Sequence, residues 1–580
     1  MAASTIDSRL EQAKITTMNP EEIQSFITRV EDALETGMAL SDDDLRLALV
    51  ALKTVLSMKT TLEDHAITLS KLRKLLGIEV SSERRPPADD ANDVEAMSKR
   101  EREEYDQLKE QQRKRDKRLK ELRGRKKSAS ASERKPTVEH HRLEDCAKGD
   151  RCPGCNMGNL GKREPLQFLR VTGHASFSSV NHVRERLACG SCGLVITAPL
   201  PEAITRDGGE GQRYGYTARA VIAIQKCAMG TPYFRNEKVS TILGVKIASS
   251  TQFDQCQYVA DAIEPVYQAL VQSAGNGHTL YADDTTNKIL GNQPEKRKRR
   301  SDNAEVTRSG NYTTVVISYG DNRPPIVTFK TNLGHTGECL DETLRERQAD
   351  LDKPTVMTDA SSSTTVTVID TIRALCNAHA RRKFVEVEKY SDIAEQAIKL
   401  YKTIWHNDDE SVLALHKPEQ RLEYHKTHSL PVMERIKRLC DEALSDPHLE
   451  EHSQVAKAFR YFVTHYEGLT AFCRTKGAPI DNNESEETLK LAINVRKNSY
   501  FFKTQNGATV VDRLLTIIAT CERTGTNAYD YLVDLQRNAD QLRESPEAFL
   551  PWNYTPPPAD PESLEHDKRH STSDQLAQAG

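Results

Sequence analysis

HTLYADD (278–284), NYTTVVISYG (311–320), PPIVTFKTN (324–332) and PTVMTDA (354–360) are the runs that decide how this chain folds. Each is short, rich in Thr, Val, Ile and Tyr, and bounded by Gly, Asn, Asp or Pro, which is the pattern of strands. A fifth run, ALCNAH (374–379), follows closely. Three strands able to form a meander, then two more across a short segment, predict a mixed sheet flanked by helices. Working outward, residues 213–272 read as helical, 381–475 as almost purely helical, and 484–540 as helical again.

Two of these runs end in carboxylates. Asp283 closes TLYAD and Asp359 closes TVMTD, while Glu486 lies near the start of a helix that follows PIDNN (479–483). Carboxylates at strand ends and on an abutting helix can converge on two divalent cations, which polarise a scissile phosphate and stabilise both attacking and leaving oxygens. Magnesium, or manganese in its place, suits such oxygen-only ligands. Spacing alone does not establish convergence, because a chain with 85 acidic residues has aspartates at strand ends for other reasons. Asp284 and Glu487 are the nearest rivals. In a strand Asp284 faces away from Asp283, and on a helix Glu487 is turned by about 100° from Glu486.

Cys152-Pro-Gly-Cys155 and Cys189-Gly-Ser-Cys192 form two close cysteine pairs. Four thiolates so paired can hold one structural zinc ion in a closed tetrahedral site. The alternative is four unconnected buried cysteines, and Cys146 is a spare ligand nearby. Further toward the N-terminus, Leu45, Leu49, Leu52, Leu56, Leu62, Leu69, Leu72, Leu75 and Leu76 approach a heptad seam, interrupted at Thr60, Thr61 and His65. That reads either as a helical hairpin or as a self-associating coiled coil. SSERRPPADDAND (81–93) is a linker. In the run 98–135 basic residues outnumber acidic ones about two to one, which suits either a solvated helix and tail or a contact with a phosphate backbone. In EKVSTILGVKIASSTQFDQC (237–256), Gly244 separates two short amphipathic segments. Ser249, Ser250 and Thr251 are expected to cap the second and offer its amides to phosphate, as in a helix-turn-helix. Plain helical packing is the other reading.

Bulk properties narrow the class. At 580 residues the chain exceeds one ordinary core. It is 29% charged and 37% hydrophobic with net charge −4, and no stretch approaches the ~18–20 apolar residues of a membrane helix. The start, MAASTIDSRLEQAK, lacks a secretory pattern, so a cytoplasmic protein is expected. Twelve cysteines are too sparse for a disulfide framework.

The motifs ADDT (282–285), CNAHARRKF (376–384), DNNESEETLKLAINVRKNSYFFKTQNGA (481–508) and LPWNY (550–554) together resemble the IS66 family of bacterial insertion-sequence transposases. GTPYFRNEKVSTILGVKIASSTQFD (230–254) resembles the segment before that family's catalytic core. A leucine-rich helix, KLRKLLG (71–77) and the cysteine module precede it in the same order, so the likeness runs from about residue 45 to 554. It implies a multidomain α+β protein with a ribonuclease-H-like mixed α/β core, a helical insertion, an N-terminal helical or coiled-coil region and a small zinc-binding domain. The implied division is 1–80 helical, 81–140 charged, 146–205 zinc-binding, 213–275 helix-turn-helix-like, and 278–384 first half of the core. It continues with 385–475 as insertion, 476–545 as second half of the core, and 555–580 as a disordered tail.

Carried over residue by residue, the first Asp of the family's acidic triad falls on Asp283 and its Glu, five positions after the Asp of a DNN tripeptide, on Glu486. The second Asp commonly stands in a DGY-like context, whereas here TDASSS (358–363) surrounds Asp359. Cys376 and His379 match a Cys-x-x-His signature, with an active-site or a structural role. Arg381, Arg382 and Lys383, and then Arg496 and Lys497, suit either plain surface charge or, given their adjacency to the motif residues, a DNA-binding rim. One departure from the family pattern is the loop GNQPEKRKRRSDNAEVTRSGN (291–311), whose Lys296, Arg297, Lys298, Arg299 and Arg300 either grip flanking or target DNA or form an exposed charged loop. The resemblance implies cleavage at element ends and strand transfer to target DNA, with two Mg2+ or Mn2+ ions and structural Zn2+. It also implies double-stranded DNA at transposon ends and target, at least a dimer in the synaptic complex, companion proteins of the same element, and no membrane. A silent DNA-binding derivative, a ribonuclease-H-like nuclease and a zinc hydrolase are the rivals.

Overall fold

All four of the runs quoted at the outset are strands. The computed structural model describes residues 25–30, 32–33, 39–45, 47–48, 99–124, 148, 150, 175–188, 195–298 and 304–555, with the side chains of 99–109, 124, 188 and 298 excepted. The strands are β1 (Arg186–Ala188), β2 (Val195–Thr197), β3 (Thr279–Asn287), β4 (Glu295–Lys298), β5 (Glu305–Arg308), β6 (Asn311–Gly320), β7 (Arg323–Asn332), β8 (Thr355–Thr358) and β9 (Ile372–Leu375). The helices used below are α1 (Lys99–Gly124), α2 (Tyr216–Cys227), α3 (Tyr233–Ile242), α4 (Ser249–Ala262), α5 (Glu264–Gly275), α6 (Thr336–Leu344) and α7 (Asn377–Val387). They continue with α8 (Asp392–Leu413), α9 (Pro418–His428), α10 (Leu430–Leu444), α11 (Gln454–Leu469), α12 (Asn483–Ser499), α13 (Gln505–Thr524) and α14 (Ala528–Arg537). The fold is α+β with a mixed sheet.

The chain divides into two units. A sheet unit comprises Gly124–Val356, Ser361–Thr371 and Glu484–Gly580, and a helical unit comprises Met1–Arg123, Met357–Ala360 and Ile372–Asn483. In the sheet unit β3, β6 and β7 form the expected antiparallel meander, with Asp283 opposite Val315 and Val315 opposite Phe329. Asn322 takes φ 60° in the two-residue turn between β6 and β7, a conformation that asparagine tolerates. The start of β8 follows on the β3 side, where the Thr355 N–H donates to the His278 carbonyl at 2.9 Å.

Period-two alternation sorts the side chains. Leu280, Ala282 and Val316 pack on Leu340 and Leu344 of α6. Val315, Ile317, Val327 and Phe329 face a larger core shared with residues of α2, α4, α5, α12, α13 and α14. β7 is the sheet edge, and α13 covers it. The outward N–H groups of Val327, Phe329 and Thr331 donate to Thr520, Thr516 and Asp512. Helix steps of four rise about 6 Å and strand steps of two about 6.6 Å, so the two ladders stay in register over three rungs. No buried edge amide along those rungs is thereby left without an acceptor.

The helical unit is built on α7, α8, α10 and α11 around Phe384, Tyr401, Met433, Ile436, Phe459 and Phe462, all buried. Its strand portion is the end of β8 with β9, and the Cys376 N–H donates to the Thr358 carbonyl at 3.0 Å. Buried Asn377 ties α7 inward, donating to the Leu469 and Ile480 carbonyls and accepting from the Tyr401 hydroxyl.

Four expectations are corrected. The ALCNAH strand stops at Leu375, and Cys376 caps α7. The 291–311 segment is not a simple loop but contains the β4–β5 hairpin, pairing Lys296 with Thr307 and Arg297 with Val306. The serines do not cap α4. Ala248 is its N-cap, and the Glu237 carboxylate of α3 takes both the N–H and the hydroxyl of Ser249, so an anion already occupies that terminus. Residues 99–124 of the charged run form a single helix that docks on α8 rather than standing fully in solvent.

Cys146, Cys152, Cys155, Cys189, Cys192, Arg299, Arg300, the tail beyond 555 and most of the leucine seam lie outside the described residues. Leu45, within them, is 52% exposed.

Candidate active site

Asp283 sits half-buried on β3 with its Oδ1 accepting the Asp284 N–H at 2.9 Å. Alternation puts it on the sheet face of Val315 and Ile317, the side of α12 and α13. Asp284 faces the other way, as expected. Its Oδ2 accepts the Thr336 N–H at 3.0 Å and the Thr336 hydroxyl at 2.8 Å, with the His335 ring at 3.7 Å. Burial raises the Asp284 carboxyl, but the bonds from His335 and Thr336 outweigh it and hold the group below its ordinary range. Asp284 therefore tethers the first turn of α6.

The first turn of α12 repeats this division of labour. Glu484 accepts from the Tyr319 hydroxyl and from Arg523, and Arg523 also donates to Thr488. Glu487 is exposed, while Glu486 is half-buried. At the far end of the helix Arg496 donates to the Thr285 hydroxyl and the Thr286 carbonyl, both at 2.7 Å. Tyr319 pairs with Thr279 at the start of β3. Hence α12 lies along β3 and is pinned near both ends of the strand. The twelve steps from Glu484 to Arg496 span about 18 Å, and the six from Thr279 to Thr285 about 20 Å. Asp283 and Glu486 both fall between these pins. Arg496, expected on a DNA rim, holds the helix against the carboxylate strand, and Lys497 beside it is exposed.

In the helical unit Asp359 directly follows β8 and is half-buried. Its electrostatic neighbours are Arg373 of β9 and Tyr461 of α11. Burial, and then the Asp359 carboxylate, push the Tyr461 phenol up to about 12. Burial lowers the Arg373 guanidinium while Asp359 opposes that shift. The ligand atoms of Cys376 and His379 lie within 4.8 Å of one another, and the buried Cys376 Sγ accepts the Asn482 N–H at 3.2 Å. The CNAH and DNN motifs, about a hundred residues apart, are thus stitched together by Cys376–Asn482 and Asn377–Ile480. Asp481 accepts from the Trp405 ring at 3.3 Å.

Among the expected cations, Arg381 and Lys383 are half-buried, Arg382 is exposed, and Lys383 stands 6.0 Å over the Tyr461 ring. In the hairpin Lys296 pairs with Glu305 at 3.7 Å and Arg297 with Glu295 at 3.0 Å, so part of its charge is internally balanced. Lys298 ends β4. Sequence reasoning missed Tyr319, Glu484 and Arg523 as the pin of α12, and Arg373 and Tyr461 as the setting of Asp359. The glutamate was visible in the motif; nothing local marks the other four.

A family model described as Transposase IS66 family matches residues 211–510, a span that includes Asp283, Asp359, Cys376, His379 and Glu486. Three proteins of Sinorhizobium fredii (strain NBRC 101917 / NGR234) are similar. Uncharacterized protein y4hP is 24% identical over 424 residues, covering 70% of this chain and 72% of the relative. Uncharacterized protein y4qI is 26% identical over 370 residues, covering 62% and 66%. Uncharacterized protein y4jD is 26% identical over 382 residues, covering 64% and 72%.

Proposed function

The chain belongs to the IS66 transposase family, and from that membership we propose that it cuts DNA at the ends of an insertion sequence and joins the freed 3′-hydroxyl to target DNA. The observation that carries this reading is the double pinning of α12 along β3, which holds Asp283 and Glu486 on rigid elements between two fixed points. Asp359 is proposed as the third carboxylate on its motif order and its place after β8. The arrangement proposed is ribonuclease-H-like, and the β7-β6-β3-β8 order of the sheet unit supports it.

The donor set fits hard divalent cations, since it is oxygen-only and the adjoining Asp284 and Glu484 are held by protein donors. Asp283, Asp359 and Glu486 would hold two Mg2+ or Mn2+ ions, which when bound polarise the phosphodiester and lower the pKa of the attacking water or hydroxyl. The remaining work belongs to the chain. Arg496 and Glu484 keep α12 from sliding, and Asp284 keeps β3 fixed to α6. Arg381, Arg382, Lys383 and Lys497, with the β4–β5 hairpin, supply cations for backbone phosphates. Cys152, Cys155, Cys189 and Cys192 are proposed to hold one structural zinc ion, which metal analysis of the purified full chain would count as one per protein.

The deciding experiment incubates the full chain with a labelled duplex carrying the element end, a target plasmid, and Mg2+ or Mn2+. Strand-transfer products are expected. Asp283→Asn and Glu486→Gln should each lower their yield on the order of 10³-fold, the several kcal/mol expected for a lost metal ligand, while DNA binding persists. Hydrolysis without joining would make the protein a nuclease. Binding with no metal-dependent cutting would make it a silent DNA-binding derivative.

A further inference from the structure

Helix α1 has two unlike sides. Arg115, Leu119 and Arg123 recur at i, i+4 and i+8 and so share one of them. Arg115 donates to Glu410 at 2.5 Å and lies 3.2 Å from the His406 ring, and Arg123 donates to Asp409 at 2.6 Å and Asp408 at 3.3 Å. Leu119, between them, is 8% exposed. This side is riveted to an acidic ridge of α8, residues 406–410.

A second side, turned by about 125° from the first, carries Arg113, Lys117 and Lys120 at i, i+4 and i+7, all exposed, bordered by Asp116 and Glu121, with Arg118 farther round. Among the described residues none of these four has an ion-pair partner, whereas neighbouring Lys114 is paired with Glu110 at 2.8 Å. That side carries no apolar residue between 110 and 121, so it lacks the aromatic or aliphatic anchors that protein interfaces need. A row of unpaired cations without apolar anchors matches a row of phosphates. Successive cations rise about 6 and 4.5 Å along the helix, within reach of phosphates that follow at about 3.4 Å of axis per strand.

We propose that Arg113, Lys117 and Lys120 form a sequence-independent binding site for the backbone of duplex DNA, and that the acidic ridge of α8 holds α1 in place for it. The assignment of duplex DNA rests on the transposase reading; the two-sidedness of the helix does not.

The test measures binding of a labelled random-sequence duplex to the full chain, without added Mg2+ or Mn2+ and with salt varied. The triple variant R113E/K117E/K120E should bind at least tenfold more weakly. Its plot of log affinity against log salt should flatten by about 2–3 units, from three phosphate contacts at about 0.9 each. A matched reversal elsewhere on the helical unit, K399E/K402E/K426E, should leave affinity within about twofold, which separates position from net charge. Hydrogen exchange of α1 and α8 checks that the helix remains docked. If the reversal undocks it, R113Q/K117Q/K120Q is read instead and should flatten the plot comparably. Unchanged affinity and slope in a docked variant overturns the proposal. Metal-dependent cutting by the wild type is scored separately. A flattened slope without any cutting sinks the transposase reading alone, and cutting with an unchanged slope sinks this site alone.

Discussion

Asp512 in the sheet unit and Asp408 in the helical unit are both largely withdrawn from water, yet their surroundings drive them in opposite directions. Asp512 meets only neutral donors, the N–H and hydroxyl of Thr331, and burial pushes its carboxyl up to about 7. Asp408 meets Arg421 at 2.9 Å, His425 at 3.3 Å and Arg123 at 3.3 Å. Burial raises it too, but His425 and Arg421 overcome that and hold it far below the usual carboxylate range. The difference teaches that burial alone does not set a carboxylate's charge; the charge of its partners does. One aspartate works as a neutral hinge pin on a sheet edge, the other as the anion of a charged cluster.

The largest expected effect strikes the charged case. Asp408→Ala leaves Arg421 and Arg123 facing a vacated site, and breaking such a partly buried cluster should cost about 3–5 kcal/mol. Hydrogen exchange over α8 and α9 reads it without assuming that both units unfold together. Asp512→Ala strands one buried N–H and should cost less, about 1–3 kcal/mol, seen as faster exchange at Thr331. Equal losses would erase the contrast.

The pH profiles should oppose one another as well. Between about pH 4 and 7 the folded sheet unit keeps a proton on Asp512 that the unfolded chain has released. Its contribution is therefore complete below about pH 4 and falls away as pH rises through 7. The Asp408 contribution is present above about pH 4 and is lost as pH falls toward its depressed folded value. Exchange protection followed from pH 3 to 8 should thus decline at opposite ends for the two units. The smallest effect is Asp512→Asn, which keeps an acceptor for the Thr331 N–H. Its stability should change by less than about 1 kcal/mol, while the decline toward pH 7 disappears. A decline that persists would show that some other group causes it.

What was legible in the sequence follows the reach of each signal. The strands announced themselves as short runs rich in Thr, Val, Ile and Tyr between Gly, Asn, Asp and Pro, and the opposed facing of Asp283 and Asp284 followed from their being adjacent. The β4–β5 hairpin did not, because EKRK and EVTR are too charged to show an apolar face. The Ser249 cap went astray because the anion comes from Glu237, on the preceding helix. Arg115 and Arg123 find acids nearly three hundred positions away, which no local pattern encodes. Asp512, Thr516 and Thr520, at i, i+4 and i+8 of α13, are buried against β7, and nothing in their own neighbourhood names that partner. Of the candidate site, Asp283 and Glu486 stood out in motifs, whereas the residues pinning their supports carry no signature beyond ordinary Tyr, Arg and Glu.

The helix that seals β7 also imposes a schedule. Its three acceptors lie 193, 187 and 181 positions after the amides they cover. At a synthesis rate of about 5–20 residues per second, the outward amides of β7 wait on the order of 10–40 s for Asp512, Thr516 and Thr520 to be made. The later segments of the helical unit, Met357–Ala360 and Ile372–Asn483, are translated in that interval. A newborn chain therefore passes through a period in which its sheet has an open border, and two such chains on neighbouring ribosomes are most prone to pair wrongly during that period.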